Sequence, residues 1–305
     1  MPDFAASTGP HRAELVVHCY RLLGSVHEAE DLVQETMLRA WRGWERYDST
    51  RASIRTWLYR IATNACLTAL EGRARRPLPT GLGGPSEDPL QPLVPAFDVP
   101  WLQPLPDDPA AVTAARSGVR LAFVAAMQLL PPRQRAVLVL RDVLDFSASE
   151  VADLLGTTTA SVNSALQRAR TGVAGVFADE LTESGEEVID HYVRAFEEAD
   201  VDALVALLTD EVVLEMPPVP LWYRGRDDYA RFMARVFEMR GTRWQLQRTH
   251  ANGQPAFAAY CWDGADFRLH TLQVFSIADG RVAHTVVFQD PAVFEVFGLA
   301  PVLTR

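Results

Sequence analysis

Apolar side chains recur every three or four residues between Leu130 and Arg170, which predicts three short helices separated by two tight breaks. Ser147 followed by Glu150 is a capping-box spacing that predicts the start of the second helix, and Gly156 predicts its end. The third helix turns Val162, Leu166 and Ala169 inward and leaves Asn163, Ser164, Gln167 and Arg168 outward. This layout is typical of a helix-turn-helix that presents polar groups to a major groove; an ordinary solvated helical face is the alternative.

The segment from residue 11 to residue 76 is also predicted to be helical. Between residues 28 and 44 the apolar positions keep the period of a helix: Ala29, Leu32, Val33, Thr36, Met37, Ala40, Trp41 and Trp44. A separate polar stripe lies at offsets of three, four and eight residues and consists of Asp31, Gln34, Glu35 and Arg39. Such a stripe is either a solvated face or a surface for a partner.

A second N-terminal helix follows the turn at residues 47–49. Its apolar face, which points toward a core, comprises Ile54, Trp57, Leu58, Ile61 and Ala65. The helix ends in three arginines, Arg73, Arg75 and Arg76. Positive charge at this end is favourable to the helix dipole with or without DNA, and it also suits contact with phosphates.

From about residue 183 the pattern of apolar positions changes from a helical period alone to a mixture of helical and strand periods. Two amphipathic helices at residues 185–208 and another at 227–238 are accompanied by segments that alternate as strands: 212–216, 244–249, 256–262, 268–277 and 281–288. Hairpin turns are predicted at Asn252-Gly253, Asp263-Gly264 and Asp279-Gly280. Helices beside a curved antiparallel sheet make an α+β cone.

Charge is segregated along the 305 residues, and every one of the 29 basic residues is arginine. The net charge is +2 over residues 1–76, −4 over 77–116, +2 over 117–178 and −10 over 179–305. Two mildly basic segments are therefore separated by an acidic one and followed by an acidic domain. The segregation favours nucleic-acid contact by the two basic segments better than a whole-chain average would.

Composition also limits the class of protein. No apolar run reaches the roughly 18 residues of a membrane span, and no charged segment followed by an apolar core marks a secretion signal. Cys19, Cys66 and Cys261 are far apart, and the seven histidines are scattered. We therefore expect a cytoplasmic protein with reduced thiols, without a metal site, a cofactor or membrane contact.

The segment from residue 77 to about 116 is proline-rich and acidic, and is predicted to be an extended linker. It contains apolar residues that are unusual in a solvated tether, namely Val94, Phe97, Val99, Trp101 and Leu102. We expect some of them to contact the body of the protein. The predicted domains are thus 1–76, the linker 77–116, 117–178 and 183–305.

Four motifs in this order resemble a bacterial RNA polymerase sigma factor of the extracytoplasmic-function type, which keeps only the domains sigma-2 and sigma-4. AEDLVQETMLRAW (29–41) is similar to the polymerase-binding motif, and RTWLYRIATNACLTALEGRARR (55–76) to the helix that reads the −10 promoter element. LPPRQRAVLVLRDV (130–143) resembles the start of sigma-4, and the helix closing in Arg168–Arg170 its −35 recognition helix. Thr68, Ala165 and Gln167 depart from the usual residues, which concerns the promoter sequence rather than the class.

The resemblance implies a role for each polar surface. Asp31, Gln34, Glu35 and Arg39 would bind core RNA polymerase through charge-assisted hydrogen bonds around apolar contacts. Contact with the −10 element would come from Trp57, Arg60, Asn64, Arg73, Arg75 and Arg76, which supply stacking surface and base-reading groups. The −35 major groove would meet Ser161, Asn163, Ser164, Gln167 and Arg168. The linker would pass through the active-site channel of the polymerase.

GQPAFAAY and DGRVAHTVVFQDPAVFEVFGL, in the last domain, resemble the SnoaL-like (nuclear-transport-factor-like) fold. The implied fold class is two all-α domains, a sigma-2 bundle and a sigma-4 helix-turn-helix, followed by an α+β SnoaL-like cone. A pocket of that fold would be lined by Trp222, Tyr223, His250, His270 and Asp290, together with Phe232, Trp244, Tyr260, Trp262 and Phe288. An isomerase-type reaction would use Asp290 or Glu215 as base and Tyr223 or His250 as donor; aromatic residues that only fill the cone are the alternative.

We therefore predict a sigma factor, not an enzyme, that binds core polymerase and promoter DNA. Its C-terminal domain is predicted to regulate activity in cis through contact with sigma-2 and sigma-4. The alternatives are a sigma factor fused to a catalytic or ligand-sensing domain, and a DNA-binding repressor that acts without polymerase.

Overall fold

The computed structural model describes residues 3–107, 120–174 and 185–303. The chain forms two compact units. The first consists of Met1–Arg76 and Leu102–Ala178, and the second of Pro77–Trp101 and Asp179–Arg305. The first part of the linker, residues 77–101, thus belongs to the same unit as the C-terminal domain; we call it the linker arm.

The first unit is helical. The N-terminal bundle contains α1 (Phe4–Thr8), α2 (Arg12–Leu23), α3 (Val26–Gly43) and α4 (Ile54–Ala69). The helix-turn-helix domain contains α5 (Leu121–Gln128), α6 (Pro132–Leu138) with a π-helical extension (Val139–Val143), α7 (Ala148–Leu155) and α8 (Thr159–Gly172). Short 3₁₀ turns lie at Gly9–His11 and Trp44–Arg46.

Side-chain caps begin α3, α4, α7 and α8, and the cap of α7 lies at the predicted position. Ser147 and Glu150 form the complete capping box of α7, and Gly156, in the left-handed region at φ 60°, ends that helix. Ser25, Ser53 and Thr158 cap α3, α4 and α8 by accepting from backbone N–H groups. The helix-turn-helix prediction is confirmed, because Val162, Leu166 and Ala169 are buried.

The second unit is an α+β cone formed by helices and one curved sheet. Its helices are α9 (Glu186–Glu197), α10 (Val201–Ala206), α11 (Arg226–Arg240) and α12 (Pro291–Val296), and a 3₁₀ turn (Pro79–Gly81) lies in the linker arm. Its strands are β1 (Leu208–Met216), β2 (Val219–Arg224), β3 (Trp244–Ala251), β4 (Gln254–Trp262), β5 (Phe267–Ala278), β6 (Arg281–Phe288) and β7 (Val302–Leu303).

The sheet has the order β2-β1-β6-β5-β4-β3, with β7 paired to β5. Among the described strands, β1 and β6 pair in parallel and the other pairs are antiparallel. The turns at Asn252-Gly253 and Asp279-Gly280 place both residues at positive φ, as a two-residue hairpin requires. Strand β2 is missing from the sequence prediction, since the pair Pro217-Pro218 before it indicates an end rather than a turn into another strand. The predicted fold class is confirmed.

Candidate functional site

The polar stripe of α3 is a solvent-exposed surface. The side chains of Asp31, Gln34, Glu35 and Arg39 are all exposed, as the helical period predicts. Arg39 donates two hydrogen bonds to Glu35, with an Nη2–Oε1 distance of 2.5 Å. The stripe therefore presents both an anionic and a cationic group to solvent, an arrangement suited to charge-assisted contacts with a partner.

Two large apolar side chains lie close to this stripe. Leu38 is 50% exposed and Trp41 is 64% exposed. Trp41 keeps the apolar period of α3 but lies outside its buried face, which consists of Val26, Ala29, Val33, Thr36 and Ala40. Exposed aromatic and aliphatic groups bordered by charges are typical of a protein-binding surface. Leu38 was not among the residues that the sequence analysis predicted to contact a partner.

The predicted −10 surface is built on an aromatic cluster at the start of α4. The ring of Trp57 lies 4.9 Å from that of Tyr47 and 6.1 Å from that of Trp44, centroid to centroid. These contacts hold the half-buried Trp57 in place, while Arg60 and Asn64 are exposed further along the same helix. The structure thus brings a fixed ring and two polar groups to one helix, as stacking on a base and reading its edge require.

The arginine cluster after α4 is partly neutralised within the bundle. Arg73 and Arg76 each form an ion pair with Glu28, at 2.7 and 2.9 Å. Arg75 is exposed. The prediction that the helix ends in these arginines is wrong, because α4 ends at Ala69. The pairs fix the segment after α4 on α3, so Arg73 and Arg76 have a structural role in addition to their predicted contact with phosphates.

The predicted −35 surface is the outer face of α8. Ser161, Asn163, Ser164, Gln167 and Arg168 are all exposed. Arg168 Nη1 donates to Ser164 Oγ at 2.6 Å, which orients the guanidinium along the helix. Two or three such side chains at the N-terminal part of a recognition helix are enough to read base edges.

The bundle and the helix-turn-helix domain contact one another inside the first unit. Arg135 of α6 is buried and donates to the carbonyl oxygen of Leu22, at the end of α2. The Tyr59 ring of α4 lies 5.5 Å from the Phe146 ring, and the Arg55 guanidinium lies 5.3 Å from the Phe146 centroid. The predicted −10 and −35 modules are therefore held against each other.

This contact leaves an open cleft with a charge pattern of its own. One side carries Arg46, Arg51 and Arg60 together with Trp57, and the other carries Glu150 and Asp153 of α7. Two carboxylates of the helix-turn-helix domain thus line the same cleft as the arginines of the predicted −10 surface, where they reduce the positive potential that a DNA phosphate would meet.

The linker arm is held on the cone by polar contacts at its start. Glu215 of β1 is fully buried, and its carboxylate accepts from the Thr80 N–H at 2.7 Å and contacts His284 Nε2 at 2.8 Å. The indole Nε1–H of Trp222 donates to the Gly83 carbonyl at 2.9 Å. A buried carboxylate that accepts a backbone N–H and faces an imidazole is satisfied, so Glu215 serves as an anchor and not as a free base.

Further contacts continue along the arm. The N–H of Ser86 donates to the Trp222 carbonyl at 2.8 Å, and the N–H of Ala96 donates to the Pro218 carbonyl at 2.9 Å. Between them, Arg235 Nη1 donates to the carbonyls of residues 89 and 91, at 2.7 and 2.8 Å. Of the apolar linker residues, Trp101 and Leu102 are buried, whereas Val94 and Phe97 are exposed.

A cavity of about 230 Å³ lies in the cone. Its apolar wall comprises Phe196, Leu214, Met216, Val219, Phe232, Met233, Val236, Met239 and Val287, with Leu93 and Pro95 from the linker arm. The polar lining comprises Tyr229, Arg240, His270, Thr271, Gln273 and Gln289. Burial, and then the charge of Arg240, lower the pKa of His270 to about 4, so its imidazole is neutral at pH 7.

Of the ten predicted pocket residues, His270 and Phe232 line this cavity. The structure places four others of the set, Trp222, Tyr223, His250 and Asp290, outside its lining. Trp222 binds the linker arm, and His250 is exposed on β3. Asp290 caps α12 by accepting from the Ala292 N–H at 2.9 Å. The Tyr223 ring lies 5.2 Å from that of Phe232, and burial raises the pKa of its hydroxyl.

The described cavity lining contains no carboxylate. The predicted bases, Asp290 and Glu215, are both used elsewhere, one as a helix cap and one as the linker anchor. Across residues 3–107, 120–174 and 185–303 no group of three or more His, Cys, Asp or Glu side chains is placed to hold a metal ion. Within the same ranges no helix is long and apolar enough to cross a membrane.

Comparison with known proteins gives the same order of domains. Residues 9–76 match the family described as Sigma-70 region 2, residues 120–171 match Sigma-70, region 4, and residues 189–285 match the SnoaL-like domain. The chain is 49% identical to the ECF RNA polymerase sigma factor SigG of Mycobacterium tuberculosis, over 97% of this chain and 84% of the relative.

A second relative matches in sequence and in structure. The chain is 30% identical to the ECF RNA polymerase sigma factor SigJ of Mycobacterium tuberculosis, over 75% of this chain and 72% of the relative. The crystal structure of SigJ superposes with a TM-score of 0.68 at 26% identity, and the alignment covers 93% of this chain and 96% of that one. The similarity includes the C-terminal domain as well as the helical ones.

Proposed function

Because the chain belongs to the extracytoplasmic-function (ECF) RNA polymerase sigma factors, which bind core polymerase and promoter DNA, we propose that its SnoaL-like cone restrains this activity by holding the linker arm. The observation that carries the proposal is the set of contacts that Glu215, Trp222 and Arg235 make with the arm. Sigma factors act where RNA polymerase is, so we also propose that the protein works in the cytoplasm.

The surfaces that we propose for these partners are those described above. The stripe Asp31, Gln34, Glu35 and Arg39, extended by Leu38 and Trp41, would bind core polymerase. The −10 element would meet Trp57, Arg60, Asn64, Arg73, Arg75 and Arg76. The −35 element would meet the outer face of α8. The exposure of all three surfaces supports these roles, apart from the half-buried Trp57 and Arg76.

The contact between the bundle and the helix-turn-helix domain supports a restrained state. The −10 and −35 elements are named for promoter positions 25 base pairs apart. This separation is about 85 Å at roughly 3.4 Å per base pair. A compact unit of some 150 residues has a radius of gyration of only about 15 Å. With Tyr59 and Phe146 in contact, one molecule does not reach both elements at once. Promoter recognition therefore requires the two modules to separate.

The linker connects these two modules, so its freedom decides how far they separate. The linker arm is bound to the cone, and the next residues are bound to the bundle: the N–H of Gln103 donates to the Gly24 carbonyl and Tyr20 donates to the Gln103 carbonyl. In the resembled family the linker enters the polymerase channel. An arm that remains on the cone is not available for the channel, so cone and polymerase compete for one segment.

We expect the substitution Arg235→Gln to raise promoter-directed transcription at limiting core polymerase by several-fold. It removes the guanidinium that holds two linker carbonyls, and a hydrogen bond from a charged group contributes about 1.5–3 kcal/mol. The measurement is a reconstituted run-off assay with the full chain. Arg231→Gln, on the same helix but paired with Asp228, is the control and leaves transcription unchanged. Equal output from wild type and Arg235→Gln contradicts the proposal.

A second candidate function, catalysis by the cone, lacks an observation in its favour. The proposed acid–base chemistry needs a carboxylate in the cavity, and Asp290 and Glu215 are engaged elsewhere. The relatives are named as sigma factors. We therefore propose a binding role for the cone and no reaction.

A further inference from the structure

The cavity of the cone has two chemically different regions. Most of its wall is apolar, with aromatic and aliphatic groups from α9, α11, β1 and β6. The polar groups are concentrated on β5 and beside it, at His270, Thr271, Gln273 and Gln289. A cavity with a large apolar wall and a few convergent polar groups is the usual form of a small-molecule site.

The charge of the side chains that line the cavity indicates which ligands it binds. Arg240 is the one ionised side chain in the described lining, since His270 is neutral and no carboxylate is present. Arg240 ends α11 and lines the cavity with an exposed side chain, for which the described part of the chain provides no ion pair. An anion placed beside Arg240 gains attraction without losing an existing partner, whereas a cation there is repelled.

The polar side chains near Arg240 are suited to oxygen atoms. Gln289 Nε2 lies 3.4 Å from His270 Nε2, and Gln273 Nε2 donates to Thr271 Oγ1 at 3.2 Å. Amide and imidazole N–H groups donate to carboxylate or carbonyl oxygens. Tyr229 contributes less, because its hydroxyl is bonded to those of Tyr192 and Thr285.

The linker arm forms part of the cavity wall. Leu93 packs against the apolar core of the cone, and Leu93 and Pro95 both line the cavity. The bonds of Arg235 on one side and of the Ala96 N–H on the other fix this stretch. Any molecule in the cavity therefore touches the segment that, in the proposed function, polymerase needs.

We propose that this cavity binds a small, predominantly apolar carboxylic acid, with its carboxylate beside Arg240 and its apolar body against Leu93 and Pro95, and that binding retains the linker arm on the cone. The regulatory half rests on the proposed function. A volume of 230 Å³ equals about eight water molecules at roughly 30 Å³ each, so the ligand has on the order of ten non-hydrogen atoms.

Thermodynamic linkage between ligand binding and retention of the linker arm gives the direction of the effect on polymerase binding. A ligand that binds only the form with the arm on the cone raises the ratio of that form to the released form. The factor is one plus the ligand concentration divided by its dissociation constant. The coupling is reciprocal, so removal of the arm by polymerase lowers the affinity for the acid. Such an acid would act as an inhibitor of polymerase binding.

The test of the site is calorimetry with the full chain and matched probes, without polymerase. Benzoate, phenylacetate, 3-phenylpropionate and octanoate are compared with their primary amides. We expect at least one acid to bind at least tenfold more tightly than its amide, Arg240→Gln to remove this preference, and Arg231→Gln to retain it. No binding by any of the acids, or a preference that survives Arg240→Gln, overturns the proposal.

The test of the arm is hydrogen exchange with and without the tightest acid. We expect amide exchange over residues 89–96 to slow several-fold in the bound protein, and Leu93→Ser to weaken acid binding. Binding that leaves this exchange unchanged overturns the role of the arm in the site. Both experiments omit polymerase, so their failure is distinct from the failure of the proposed function, which Arg235→Gln tests in transcription.

Discussion

The double substitution Asp31→Ala and Glu35→Ala is expected to reduce the affinity of the chain for purified core RNA polymerase by about ten- to a hundredfold. Each tenfold corresponds to about 1.4 kcal/mol, and truncating one partner of a desolvated charge pair costs about 2–5 kcal/mol. Both carboxylates are exposed in the free chain, so their loss does not disturb the bundle. Surface titration or a quantitative pull-down measures the change.

The matched control for this experiment is Glu30→Ala. Glu30 is exposed on the same helix but lies one residue, about 100°, away from Asp31 around the axis. The control is expected to bind core polymerase like wild type. If the double variant also binds like wild type, the α3 stripe is not the polymerase surface, and a repressor that works without polymerase becomes the better explanation of the DNA-binding modules.

The substitution Arg135→Met is expected to lower the free energy of unfolding of the first unit by about 3 kcal/mol, because a buried polar group left without its partner costs about 1–3 kcal/mol. Arg135 is only 3% exposed and donates to Gln128 Oε1 at 2.7 Å and to the carbonyls of Leu22, Gln128 and Leu130. Burial, and then the charge of Arg75, lower its pKa to about 10, which leaves it protonated at neutral pH. Methionine fills the space but leaves these acceptors without a donor.

Denaturant unfolding followed by far-ultraviolet circular dichroism measures this loss. Arg133→Met, on the same helix with an exposed side chain, is the control and changes the stability by less than about 0.5 kcal/mol. Because the bond to Leu22 joins the helix-turn-helix domain to the bundle, the variant also loosens the contact between the two modules. Equal stabilities of the two variants would contradict the structural role of Arg135.

Most of the predicted elements follow from local signals in the sequence, although strand β2 does not. The capping box of Ser147 and Glu150, the left-handed Gly156 and the paired turn at Asn252-Gly253 each act within four residues. The outward polar positions of α3 and α8 follow from the period of a helix. The stripe of α3 and the outer face of α8 each lie on one face of a single helix, whereas their assignment to partners came from the resemblance to sigma factors and not from the helical period.

The cavity and the linker arm depend on contacts that no local pattern encodes. Thr80 binds Glu215, 135 positions further along the chain, and Trp222 binds Gly83, 139 positions away. Proline content predicts that the arm is extended but not which surface it contacts. Trp222 lies on strand β2, which the sequence did not predict, and His250 follows the strand predicted at 244–249, so no local pattern fixed whether either side chain faces the pocket. Trp41 shows the corresponding limit for a helix, because it keeps the apolar spacing and is nevertheless 64% exposed.

The account depends most directly on whether polymerase takes the linker arm from the cone. Hydrogen exchange at the amides of Thr80, Ser86 and Ala96, which donate to the cone in the free protein, tests this when core polymerase is added. The amide of Phe257, inside the central sheet, serves as the internal reference. We predict that the exchange rate of the three arm amides changes at least tenfold when polymerase binds. Amides that polymerase does not cover exchange faster, as in a released segment. The exchange rate of the Phe257 amide stays the same. A complex with core polymerase in which all three keep the exchange rates of the free chain would contradict the account.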